Sequence, residues 1–157
     1  GIRVEKHGKP LYEPLFTEVA SLHAGGKKVQ EAECGGLVGV GTFLDPSLTK
    51  ADGLIGSLVG KPNMLPETRS ELTLETLFFE RVVGVKEMIE VDKTQKGEVL
   101  LLDVGTAITT GTVASIGKDV ITLLLGRPVC AEEGFRAAIS RKIAGRWRLI
   151  GYGTIRG

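Results

Sequence analysis

Residues 135–157 read FRAAISRKIAGRWRLIGYGTIRG, and this stretch decides the fold. It divides at Ala144-Gly145 into two runs in which apolar and polar residues alternate, a period of two that belongs to strands rather than helices. On the second run, Trp147, Leu149, Gly151, Gly153 and Ile155 are expected on one face, which puts the Trp147 indole in the core. Arg146, Arg148, Ile150, Tyr152, Thr154 and Arg156 are expected on the other. On the first run, Arg136, Ser140 and Lys142 share a face opposite Phe135, Ala137, Ile139 and Ile143. Arg141 falls on the apolar side, where it is expected to pair with a carboxylate or sit at a rim. The stretch also holds six Lys/Arg and no Asp or Glu, whereas residues 1–134 hold 14 basic and 19 acidic side chains. A net charge of +1 hides that division. Cations fixed on paired strands point to an anionic partner, with nucleic acid the first candidate.

The rest of the chain repeats the strand signature. Short runs rich in Val, Ile, Leu and Thr occur at 15–22, 36–43, 55–59, 70–79, 99–104, 109–116 and 120–125, in addition to 135–143 and 146–155. Gly25-Gly26, Gly117-Lys118-Asp119 and Ala144-Gly145 supply turns between them. The 22 glycines, without low complexity, fit many tight turns and close strand crossings. Many strands at short spacing describe an all-β barrel or sandwich. Residues 80–90, ERVVGVKEMIE, are the one helical candidate, and Gly84 with the β-branched residues leaves a loop with a short turn equally open.

The segment 61–67, KPNMLPE, sets a boundary, because its two prolines oppose continued strand pairing. Residues 66–157 suffice for a complete small barrel. Residues 1–65 hold only three or four strands, so this part is expected to begin inside a domain. Apolar content of 42% and charged content of 25% are those of an ordinary soluble globular protein. Cys34 and Cys130, far apart in sequence, are expected as two buried free thiols in a reducing compartment, the cytoplasm. No apolar run reaches the roughly 20 residues of a membrane span, and the start GIRVEKHGKP lacks a signal-peptide core.

Catalytic and metal motifs are missing from the sequence. GGLVGVGT, with Gly35, Gly36, Gly39 and Gly41, is neither a G-x-x-x-x-G-K-[ST] loop nor a G-x-G-x-x-G fingerprint. Its Gly39 and Gly41 share a strand face that another chain can approach closely. His7 and His23 have no cysteine or carboxylate pair at ligand spacing, so no metal is expected. Ser115 and Ser140 lack the G-x-S-x-G elbow, and Glu67, Glu71, Glu132 and Glu133 read as solvated carboxylates. An independent enzyme is not expected. The candidates for RNA phosphate contact are Arg136, Arg141, Lys142, Arg146 and Arg148. The plainer alternative is a solvated barrel face balanced by Glu132, Glu133 and Asp103.

Four runs carry a family resemblance: GGLVGVGTFLDPSLTKAD (35–52), ERVVGVKE (80–87), RPVCAEEG (127–134) and AISRKIAGRWRLIGYG (138–153). Together they resemble the gamma subunit of translation initiation factor 2, of archaeal type. More distantly, the chain is similar to the second and third domains of elongation factor Tu. The resemblance implies two antiparallel β-barrels of the translation-factor type, the first incomplete. Residues 1–65 would be the C-terminal part of the second domain and 66–157 the third. It implies that GTP, magnesium and hydrolysis belong to a GTP-binding domain that this sequence does not match, so no cofactor is expected here.

The same resemblance implies a binding role. The family carries methionylated initiator tRNA to the small ribosomal subunit as a heterotrimer. Its second domain docks the alpha subunit, while the beta subunit would be reached only through the GTP-binding domain. By similarity to elongation factor Tu, Glu33, Cys34, Gly35, Gly36, Leu37 and Val38 would border the pocket for the tRNA 3′ end. The rival expectation is a scaffold whose charged faces make mainly protein contacts, with RNA bound by the GTP-binding domain and the alpha subunit.

Overall fold

The computed structural model describes residues 2–6, 9–33, 35–84 and 89–157, with side chains from residue 12 onward. His7 and Cys34 lie outside the described residues. The chain forms two compact units, Gly1–Leu54 and Ile55–Gly157. The boundary therefore lies before the prolines that the sequence suggested. Segment 55–65 goes with the second unit, because Arg127 Nη2 donates to Ile55 O at 3.1 Å. Nor does 55–59 form a strand. Gly56, at φ +78°, leaves extended geometry and turns the chain there.

The first unit contains a hairpin of β1 (Ile2–Lys6) and β2 (Lys9–Glu13) that was not anticipated. It also has a sheet in the order β4-β3-β5, from β3 (Val19–Ala24), β4 (Lys27–Val29) and β5 (Val38–Thr42). Gly25-Gly26 makes the β3–β4 turn as expected. Gly41 backs onto the Ser21 side chain of β3, which bears out close packing for this glycine. The run D-P-S-L-T starts a short helix, α1 (Pro46–Thr49), with Asp45 as N-cap and proline in its first turn. Asp45 Oδ1 accepts from Ser47 N at 2.8 Å. Hydrogen bonding from the Ser47 side chain and then its backbone holds the Asp45 carboxyl below the usual range. Among the side chains described in this unit, from residue 12 to 54, none is buried.

The second unit is a closed antiparallel barrel in the order β10-β11-β6-β9-β8-β7. Its strands are β6 (Thr68–Phe78), β7 (Val99–Val104), β8 (Ala107–Ile116), β9 (Val120–Cys130), β10 (Arg136–Ile143) and β11 (Arg146–Arg156). Alternation along each strand fills the interior with Leu72, Leu74, Leu100, Leu102, Val113, Ile121, Leu123, Ile139 and Ile155. The described ends of 80–90 pair antiparallel rather than coil into a helix: Val82 N donates to Ile89 O at 2.9 Å, beside an Arg81–Glu90 bridge. Val82 thereby reaches the core.

One buried hydroxyl takes the place of ladder bonds between β8 and β9. Thr109 Oγ1 donates to Arg127 O at 2.7 Å and accepts from Arg127 N at 3.0 Å. Thr109→Val keeps the shape and removes both bonds. It is expected to cost about 1–3 kcal/mol in a urea titration, and a loss too small to measure would show that water satisfies Arg127 instead.

Candidate nucleic-acid interface

The hairpin of β10 and β11 carries all five basic residues singled out from the sequence. Its turn places Ala144 at φ 48° and Gly145 at φ 79°, the left-handed pair that a two-residue hairpin turn requires. Below the turn, Ile143 faces Arg146, Lys142 faces Trp147, Arg141 faces Arg148 and Ser140 faces Leu149. Farther from the turn, Ile139 faces Gly151, Ala138 faces Tyr152, Ala137 faces Gly153 and Arg136 faces Thr154.

Ile150 has no counterpart, so β11 carries a bulge at that residue. The extra residue shifts the strand phase by one. Ile150 turns inward with no exposed surface, its O accepting from Phe79 N at 2.8 Å. Trp147 turns outward and keeps 38% of its surface exposed. Two expectations are thus corrected: Trp147 is not a core residue, and Arg146 and Arg148 do not share a face with Tyr152. Simple alternation fails here because one unpaired residue moves everything beyond it to the other side.

Each basic side chain has its own surroundings. Arg141 reaches across to the loop 92–98. Its Nε and Nη2 donate to Glu98 Oε1 and Oε2 at 2.5 and 3.1 Å, and Nη1 donates to Asp92 O at 2.8 Å. The carboxylate expected for Arg141 is therefore Glu98. Arg148 Nη1 donates to Gly84 O at 2.9 Å, tying down the 80–84 segment. Arg156 is paired with Glu75 at 2.8 Å. The Arg136 guanidinium lies over the Tyr152 ring, 5.3 Å from its centre. Lys142 and Arg146 are exposed and make no ion pair among the described residues.

The Arg141 clamp brings Lys93 and Lys96 to this end of the barrel. They line a shallow depression with Asp92, Gln95, Gly97, Glu98 and Arg141. These lysines were missed from the sequence, where the only signal was the run DKTQK between two strands. The structure thus sets Lys93 and Lys96 beside Arg141, next in sequence to Lys142, while Arg146 projects from the other side of the hairpin and Arg141 and Arg148 serve as internal fasteners.

The residues suggested for a tRNA 3′-end pocket lie in the first unit. Glu33, Gly35, Gly36 and Leu37 form an exposed stretch leading into β5, and Val38, half-buried, is its first residue. A Cβ placed on Gly35 or Gly36 would meet nothing within 4 Å, so the backbone there is open to a ligand. Among the described residues no three His, Cys, Asp or Glu side chains come together as a metal site. Cys130 is a free thiol near Thr68 Oγ1, only half-buried rather than buried as expected. No described helix is long and apolar enough to cross a membrane.

Comparison with known proteins gives a consistent result. A family model described as "Initiation factor eIF2 gamma, C terminal" matches residues 70–155. Translation initiation factor 2 subunit gamma from Thermococcus kodakarensis is 57% identical over 156 residues, covering 99% of this chain and 38% of that protein. The same subunit from Methanopyrus kandleri is 55% identical over 157 residues, again covering 38% of its length. The chain therefore spans well under half of the relatives it matches. In fold it is similar to translation elongation factor SelB from Methanococcus maripaludis in its apo form. That likeness has a TM-score of 0.59 at 18% identity and covers 90% of this chain and 33% of the other.

Proposed function

Because this chain belongs to the family of the gamma subunit of translation initiation factor 2, we propose that it serves in the GTP-dependent delivery of methionylated initiator tRNA to the small ribosomal subunit in the cytoplasm. In this reading its two units are binding barrels. The first borders the aminoacylated 3′ end through Glu33, Gly35, Gly36, Leu37 and Val38 and docks the alpha subunit. The second offers a cationic end to RNA phosphates. Nucleotide hydrolysis, with its magnesium, belongs to a GTP-binding domain, which is also the route to the beta subunit. The sequence of this stretch has no phosphate-cradling lysine loop for that chemistry.

The observation that carries the reading is the pair Lys93 and Lys96 in the depression around Arg141, with the unpaired exposed Lys142 and Arg146 on the hairpin that Arg141 belongs to. Exposed cations held on paired strands and a clamped loop neutralise phosphates and release counterions, so affinity falls with salt. Arg141 and Arg148 contribute by holding the loops that surround that end. The test is initiator-tRNA binding at several salt concentrations, with and without the alpha subunit. Lys142→Ala combined with Arg146→Ala is expected to flatten the slope of log affinity against log salt by roughly 2, about one per lost phosphate contact. An unchanged slope would remove the barrel end from the RNA interface.

A second reading has its own support. Ile108 and Leu77 stand 62% and 51% exposed on the outer wall of the barrel. Apolar side chains there fit a scaffold that packs against protein. Binding of tRNA only when the alpha subunit is added would favour it.

A further inference from the structure

The outer wall of the terminal hairpin carries a feature that the cations alone do not explain. In an antiparallel pair, residues directly opposite project to the same side. Ala138, Ser140 and Lys142 alternate on the outer side of β10, so their partners Tyr152, Leu149 and Trp147 share that side, with Lys142 and Trp147 exposed, Leu149 and Tyr152 part-exposed and Ser140 covered. The bulge at Ile150 makes this possible by returning Leu149 and Trp147 to the side of Tyr152. A stripe of aromatic and apolar side chains thus runs along the hairpin. Lys142 stands beside Trp147 at one end, and Arg136 lies over the Tyr152 ring at the other. The acidic neighbours are few. Asp103 faces Ala138 from β7, and Glu75 is already paired with Arg156.

We infer that this stripe is a stacking platform for unpaired RNA nucleotides. The inference rests on the RNA-binding reading above and specifies the form of RNA. Bases in a duplex are stacked on one another and present only their edges, whereas unpaired bases lay a face on an aromatic ring while cations hold the backbone. Trp147 and Tyr152 lie five residues apart on one strand, roughly 15 Å at the usual strand rise. That spacing leaves room for a short run of nucleotides between them. An indole half-exposed beside a lysine, and a phenol already beneath a guanidinium, are surfaces of the kind that stacking uses. A purely phosphate-binding face needs neither ring.

Trp147 is the sole tryptophan of the chain, so its emission reports directly on this platform. The experiment compares a short oligouridylate with an RNA duplex carrying the same number of phosphates, each titrated into the full chain at low salt. Stacking predicts that the oligouridylate quenches Trp147 and the duplex does not. It also predicts that Trp147→Leu weakens oligouridylate binding roughly 5- to 100-fold, while Trp147→Phe recovers much of the loss. Because Trp147 lies outside the core, these variants are expected to fold, as circular dichroism would confirm. Equal, salt-dependent binding of both RNAs without quenching would overturn the platform and leave the phosphate reading intact. Binding of neither RNA would overturn both. Quenching by the alpha subunit but by no RNA would make the stripe a protein-docking surface and likewise overturn the inference.

Discussion

Ile150→Ala is expected to destabilise the barrel by about 2–5 kcal/mol, the usual range for truncating a fully buried isoleucine. Ile150 is the unpaired residue of the β11 bulge, and its side chain has no exposed surface. Truncation opens a cavity where the chain is least free to collapse, because Ile150 O also accepts from Phe79 N at 2.8 Å and pins β6 to β11. Trp147→Ala, at a far larger side chain, is expected to cost less than Ile150→Ala, since the indole is already part-solvated. Urea unfolding of the two variants side by side decides the matter. If the tryptophan variant proves the less stable of the two, the strand phase is that of simple alternation and the bulge is misplaced.

The second large effect concerns the clamp. Glu98→Ala is expected to cost about 2–4 kcal/mol. This is somewhat below the roughly 3–5 kcal/mol for breaking a fully buried ion pair, because the side chains of Arg141 and Glu98 retain 14% and 21% of their surface. The loss comes mainly from the guanidinium left without its carboxylate. Glu98 Oε2 also accepts from Gln95 N at 3.1 Å, so the loop loses a local tie at the same time. The measurement is a denaturant midpoint together with amide exchange across 92–98. Stability within about 0.5 kcal/mol of the parent would mean that the pair is no more than a surface contact. The same variant should weaken tRNA binding, since Lys93 and Lys96 would no longer be held beside the hairpin.

Much of the barrel is legible in the sequence because its strands are half-buried and the side chains alternate in register with the pleat. Val99–Val104 was anticipated to the residue, and the turns at Gly25-Gly26, Gly117–Asp119 and Ala144-Gly145 all connect paired strands. The Arg141 anomaly was legible for the same reason: a cation on the apolar side needs a partner, and Glu98 supplies it. Bulges are not legible in this way. Nothing in RWRLIG announces that Ile150 is unpaired, because the choice depends on how β10 on one side and β6 on the other each register with β11. The run at 55–59 misled because its apolar side chains, Ile55, Leu58 and Val59, stay exposed, and Gly56 turns the chain out of a ladder. The candidate site divides along the same line. The cations of the hairpin are local in sequence and were found, whereas Lys93 and Lys96 join them only through a contact that spans the loop and the barrel.

The strand order has a consequence for how the chain acquires its shape during synthesis. The strands made first, β6 to β9, can form an open sheet in the order β7-β8-β9-β6, and the terminal hairpin is the piece that pairs with both of its free edges. Until residue 156 has emerged, that sheet presents two unsatisfied rows of backbone donors and acceptors, the state most prone to pairing with another nascent chain. Closure joins β6 to β11 across most of the unit's length, a topology of high contact order that folds late and slowly. The cationic hairpin is therefore also the latch of the barrel, pairing β10 with β7 and β11 with β6.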